Sequence, residues 1–143
     1  MKIAICGSLS FAKEMGELKE KLNGFGFEVE VPYSAVKILK GEFSQEGINK
    51  SKEDGTFHKI TIENDAIRKW HDVIQSCDAI LVVNYDKKGI SNYVGGSVFL
   101  EIGFAHIMNK KIYLLNPIPE VSYKDEIIAM QPIILEGNLL KIK

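Results

Sequence analysis

The residue most able to do chemistry is a carboxylate in an unlikely setting. Val98 to Met108 reads Val-Phe-Leu-Glu-Ile-Gly-Phe-Ala-His-Ile-Met, a helical stretch apolar nearly all round with one acid, Glu101, about one turn in. Such a helix is largely buried. A lone buried carboxylate is costly unless it is paired or faces a polar cavity, and the nearby helix N-terminus is expected to favour its ionised form. An ionised, fixed carboxylate can attack an anomeric carbon or steady an oxocarbenium-like transition state. The alternative is a dipole-complementing Glu on a partly exposed helix start. Gly103, two residues on, lets a ligand or another helix approach closely.

Ahead of this helix lies Gly95-Gly96-Ser97, a turn whose free N–H groups and helix dipole can hold an anion such as a phosphate. The other reading of the turn is that Ser97 caps the helix while the glycines supply a tight bend. Near the N-terminus, Gly7-Ser8-Leu9-Ser10 matches neither GxGxxG nor GxxxxGK[ST], which argues against a dinucleotide site or a P-loop. Its hydroxyls, Ser8 and Ser10, can bond to phosphate or sugar, or cap the helix that follows. A proton shuttle has candidates in Asp65 and Asp72, although His71 and Asp72 point about 100° apart on a helix and form no ready dyad. His58 and His106 have no partner at metal-ligand spacing, and Cys6 and Cys77 form no CxxC pair, so no metal or cofactor is expected and both cysteines are read as buried thiols.

These residues need elements to hold them. Residues 2–6 form an apolar run ended by Gly7, as expected of a parallel strand covered on both faces. Phe11, Met15, Leu18 and Leu22 mark the apolar stripe of a following helix, and 27–31 alternates apolar and acidic residues before Pro32, as a strand nearer an edge. From 35 to 57 the pattern fades, which predicts a mobile loop with one short helix, a lid being one role for it. One helix is expected from His58 to Ser76, a buried strand from Asp78 to Tyr85, a helix from Val98 to Asn109, a strand from Lys111 to Leu115, a short helix over 124–130 and a last strand from Pro132 to Leu135. Strand and helix alternate throughout. That order predicts a single α/β domain over 1–143, Rossmann-like or flavodoxin-like, with three layers and a mainly parallel sheet of about five strands. Ligands bind such sheets at the carboxyl ends of the strands, where the segments Gly7 to Ser10, Asn84 to Ser97 and Asn116-Pro117 converge.

Composition narrows the partners. The chain has 143 residues, 18 basic against 19 acidic, and a net charge of −1, without the clustered basic footprint of a nucleic-acid polymer binder. A domain of this size buries roughly 68–70% of its unfolded surface and supports a core without disulfides or metals. No apolar run approaches the roughly 20 residues that span a bilayer, and the N-terminus enters a strand directly, so a cytoplasmic protein without membrane partners is expected. The apolar tail residues Ile127, Ile128, Met130 and Ile133 are compatible with a homodimer or higher homo-oligomer.

Taken in order, Cys6-Gly7-Ser8, Cys77-Asp78-Ala79-Ile80-Leu81-Val82-Val83, the Gly-rich loop and Glu101-Ile102-Gly103-Phe104-Ala105 before Lys110-Lys111-Ile112 resemble the nucleoside 2-deoxyribosyltransferase-like superfamily, over most of the chain. That superfamily includes 2′-deoxynucleoside 5′-monophosphate N-glycosidases. The resemblance implies a nucleoside or nucleotide substrate and makes Glu101 the nucleophile on C1′. It sets Gly7 and Ser8 against sugar or phosphate, and Gly95 to Ser97 where the hydrolases bind the 5′-phosphate. Three departures stand out. The family's Asp, eight residues before Asp78, is replaced by Trp70, leaving Asp72 as the substitute acid/base; Ser10 stands where the hydrolases tend to have Arg; and Ser97 and Phe99 stand where they tend to have glycines. The inserted 89–94 segment brings Asn92 and Tyr93, which can recognise a base or sugar. The expected site is therefore Glu101 and Asp72 with Gly7, Ser8, Ser10, Asn84, Tyr93, Gly95, Gly96 and Ser97. The reaction is cleavage or transfer at an N-glycosidic bond, with hydrolase and transferase left open. The other readings are a nucleotide-binding sensor or regulatory module without catalysis and, more weakly, a flavodoxin-like protein.

Overall fold

A computed structural model describes residues 1–143. Five strands form one parallel sheet: β1 (Lys2–Cys6), β2 (Glu28–Glu30), β3 (Ala79–Val82), β4 (Lys111–Leu114) and β5 (Ile133–Ile134), in the order β2-β1-β3-β4-β5. The helices are α1 (Ala12–Gly24), α2 (Tyr33–Leu39), α3 (Gln45–Glu53), α4 (Phe57–Glu63), α5 (Ala66–Ser76), α6 (Gly96–Ile107) and α7 (Lys124–Ala129).

The two-residue period of the strands divides the core into two. Ile3 and Ile5 of β1, Leu81 of β3 and Tyr113 of β4 face α1 and α2, where Met15, Leu18, Leu22 and Ala35 meet them. Ala4, Cys6, Ile80, Val82, Ile112 and Leu114 face the other way, against Ile74 of α5, Ile102 and Ala105 of α6 and Ile127 of α7. Three layers result, with both faces of the sheet covered, and this accounts for the uninterrupted apolar runs. The register Cys6↔Val82 and Val82↔Leu114 brings the carboxyl ends of three strands level. Because β1 leads outward to β2 and β3 outward to β4, the strand order reverses between β1 and β3 and opens a crevice at that edge.

Several expectations change. The 35–57 segment is not a loop with one helix: it contains most of α2 and all of α3. Its periodicity is faint because α3 buries only Ile48, while Ser44 caps it by accepting from the Gly47 N–H at 2.8 Å. The helix expected over 58–76 is two helices, broken where Asp65 takes a left-handed φ of 47°. Asn64 just before it turns its amide onto the Ile60 carbonyl at 2.9 Å, ending α4. Ile127, grouped in the sequence with the apolar tail residues available to a partner copy, is fully buried in the core, whereas Ile128 and Ile133 are exposed. No helix is long and apolar enough to cross a membrane.

A candidate active-site cleft around Glu101

The crevice is a cleft of about 990 Å³. Its floor is the segment after β1, Gly7 to Ser10; one wall is the start of α6 with Trp70 and Val73 of α5; the other is built from α2, α3 and α4.

Gly7 is dictated by the close approach of its neighbours, since a Cβ there would lie 2.4 Å from Val83 Cγ2 and 3.2 Å from the Val83 carbonyl oxygen. Ser8 accepts from the Ser10 N–H at 3.3 Å, capping the short turn that starts α1, so the expected capping role and exposure to the cleft coexist.

The 86–97 loop is shaped by its own turns. Lys88 and Gly89 both have positive φ, 54° and 71°, and close a tight turn between Lys87 and Ile90. The Asp86 carboxylate accepts from the Asn92 N–H at 2.9 Å, and the Tyr93 N–H bonds to the Tyr85 carbonyl. Tyr93 then folds over Gly95, where a Cβ would lie 3.0 Å from its ring. These turns place Lys87 against the floor, its Nζ donating to Ser8 Oγ at 2.6 Å, and set both Lys87 and Lys88 over the Tyr93 ring, 5.6 and 5.8 Å from its centre.

Helix α6 starts at Gly96 with Gly95 at its N-cap and no side-chain cap. The reading of Ser97 as the cap of this helix is thus corrected: Ser97 lies inside the first turn and is exposed to the cleft. One turn on, Glu101 reaches the cleft between β1 and α5. Its Oε2 is buried without a hydrogen-bond partner, as is the Trp70 Nε1. Burial raises the Glu101 pKa to about 7, while the Cys6 thiol and the Trp70 N–H beside it pull in the opposite direction. The expected preference for the ionised form is therefore overturned, because burial dominates. Burial also pushes the Cys6 thiol well up, and the charge on Glu101 adds to this, which leaves Cys6 a neutral thiol in the core.

Of the residues expected at the site, Glu101, Gly7, Ser8, Ser10, Tyr93, Gly95, Gly96 and Ser97 all line this cleft. Asn84 and Asp72 do not. Asn84 is fully buried, donates to the Asn116 and Pro117 carbonyls at 3.0 Å each and accepts from the Asn116 N–H at 2.9 Å. It ties the end of β3 to the end of β4 and has no free polar atom for a ligand. Asp72 points outward with its side chain 73% exposed, 3.1 Å from His71, because it falls on the face of α5 turned from the sheet. Trp70, read in the sequence as the loss of an acid, is the α5 residue that meets Glu101.

Sequence reasoning missed Tyr33, Lys52, Phe57 and Lys87 as cleft residues. The adjacent lysines 87 and 88 in a glycine-containing loop were the available signal for one of them. Carboxylates other than Glu101 are Glu30, engaged by Lys2 at 3.1 Å, and Glu53 on α3. No three His, Cys, Asp or Glu side chains are grouped to hold a metal.

Comparison with known protein families and with curated proteins finds no match. Among solved structures, the chain is similar to the Clostridium botulinum CMP N-glycosidase BcmB, at 18% identity and a TM-score of 0.49, over 94% of this chain and 88% of that one.

Proposed function

We infer that the protein cleaves the N-glycosidic bond of a nucleoside or nucleotide, with Glu101 as nucleophile. The observation that carries this reading is the unpartnered Oε2 of Glu101, buried at the one edge of the sheet where the fold opens a ligand crevice. Structural carboxylates at such burial are paired. This one faces a cleft large enough for a nucleotide, with aromatic rings of Tyr33, Phe57, Trp70 and Tyr93 to stack a base and hydroxyls of Ser8, Ser10 and Ser97 to bind a sugar or phosphate.

In the reaction, an ionised Glu101 oxygen forms a bond to C1′ as the C1′–N bond breaks. The electron pair leaves with the base, which takes up a proton from water. The glycosyl ester on Glu101 is then displaced by water, giving the free sugar, or by a second base, giving a transferred glycoside. A pKa near 7 leaves about half of the carboxylate ionised at neutral pH, and the uncapped N–H groups one turn earlier in α6 lie toward the same cleft, where a phosphate can be received.

The exclusion of Asp72 from the cleft favours one other reading, a nucleotide-binding module without catalysis. Chromatography of free base after incubation with ribo- and deoxyribonucleosides and their 5′-phosphates, with and without an acceptor base, separates the two. The glycosidase reading expects release from at least one of them. Tight binding without release from any would overturn it in favour of the binding module.

A further inference from the structure

Four lysines line the cleft, Lys69 on α5 and a group of three from two further elements, Lys52 from α3 and Lys87 and Lys88 from the loop after β3. None has an ion-pair partner. The nearest acids along the chain are Glu53 and Asp86; Glu53 makes no ion pair, and Asp86 spends an oxygen on the Asn92 N–H. Instead the ammonium groups rest on aromatic rings, Lys52 over Phe57 at 5.0 Å and the other two over Tyr93. Unlike most lysines on this surface, they crowd each other. Burial and the charges of Lys52 and Lys88 lower the Lys87 pKa to about 8, and burial with the charge of Lys88 lowers that of Lys52. A cluster held together against its own repulsion is stabilised by an anion.

The position of the cluster fixes its place on a ligand. Lys87 sits on Ser8, and Glu101 sits against Cys6, two residues back along β1. At about 3.3 Å per extended residue the backbone positions that carry these two contacts are about 7 Å apart along the floor, a spacing on the scale of a pentose between C1′ and its 5′ substituent. Charge then decides the substituent. A phosphomonoester carries about −1.5 to −2 at neutral pH. With Lys69 as a fourth cation and the unpaired Glu53 as a counter-charge in the same cleft, the net positive charge there is about three; together with a helix N-terminus worth about half a charge it exceeds what one such group neutralises, whereas a diphosphate, with one more ionised phosphoryl, comes to about −3.

We propose that Lys52, Lys87 and Lys88 form a diphosphate-binding subsite, so that the cleft takes nucleotides with two or more 5′-linked phosphates in preference to monophosphates. The assignment of the phosphates to a nucleotide rests on the function inferred above; the anion subsite itself rests on the lysines. Helix α3, which brings Lys52, thereby becomes the wall that closes on the phosphate chain.

The test has two arms. In the first, calorimetry measures inorganic pyrophosphate and orthophosphate binding to the wild type and to a Lys52→Met/Lys88→Met variant, both positions lying outside the core and so replaceable without loss of fold. Pyrophosphate is expected to bind at least tenfold tighter than orthophosphate, and the variant to lose most of that preference. Equal affinities for the two ions, no pyrophosphate binding at millimolar concentration, or an unchanged preference in the variant would overturn the proposal. In the second arm, base release is followed from a nucleoside, its monophosphate and its diphosphate, and kcat/KM is expected to be highest for the diphosphate. Pyrophosphate preference without base release from any substrate refutes the glycosidase reading alone. Release from the monophosphate at least as efficient as from the diphosphate refutes the diphosphate preference alone.

Discussion

Replacing Glu101 with Gln should make the protein more stable, and only above pH 5. The carboxyl has its pKa raised by burial from an ordinary 4.5 to about 7. Between those values the unfolded chain has released the proton while the folded chain still holds it, so folding stability falls as pH rises. At about 1.36 kcal/mol per pH unit the full cost comes to about 3 kcal/mol, reached above pH 7 and absent below pH 4.5. Glutamine has the same shape and no titration. Glu101→Gln should therefore match the wild type within about 1 kcal/mol at pH 4.5 and exceed it by about 3 kcal/mol at pH 8. At about 2.1 cal/mol/K per residue over 143 residues, that is a Tm difference of about 10 °C. Urea denaturation of both proteins at pH 4.5, 6 and 8 reads this directly. A difference that does not grow with pH, or a wild type that gains stability on going from pH 5 to 8 relative to the variant, would refute the reasoning that Glu101 is held against its own desolvation.

Three further outcomes follow from the same geometry. The kcat/KM for a phosphorylated substrate should rise with pH through about 7 as Glu101 ionises, then fall above about 8 as Lys87 loses its charge; an unphosphorylated nucleoside should show the rise without the fall. Trp70→Phe keeps an aromatic ring but removes an N–H that lowers the Glu101 pKa, so the acid limb of that profile should move to higher pH, and an unmoved limb would exclude contact between the two. Asn84→Ala should cost about 1–3 kcal/mol, a Tm drop of about 3–10 °C, because it leaves the Asn116 N–H and two carbonyls without partners. Its ligand affinity should stay unchanged at temperatures where it is folded, which distinguishes a strap between β3 and β4 from a binding residue.

The parts of the fold visible in the sequence are those where local pattern and burial agree. The apolar runs at 2–6, 78–85 and 111–115 mark β1, β3 and β4 because both faces of each are covered. Glu101 stood out for the opposite reason, a local rule broken inside an otherwise apolar helix. Helices α3 and α4 escaped notice because they cover a cleft instead of the core: α4 buries no residue and α3 only Ile48, so neither carries a stripe. Missing them hid Lys52 and Phe57. Asp72 and Trp70 show a different limit. Both lie on α5, two residues apart, and only the rotation of that helix, set by Ile74 against the sheet, decides which of them meets Glu101. Asn84 was misplaced because a polar residue at the end of a central strand looks alike from sequence whether it binds a ligand or its neighbouring strand.

The central claim is that Glu101 makes the bond to C1′. Its most direct test is base release by Glu101→Gln beside the wild type, on whichever nucleotide the wild type cleaves fastest, with pyrophosphate binding as proof that the cleft is intact. The account predicts a loss of at least about 1000-fold in kcat with pyrophosphate affinity unchanged. Release within tenfold of the wild type would contradict it and leave Glu101 as a buried acid without a part in the chemistry.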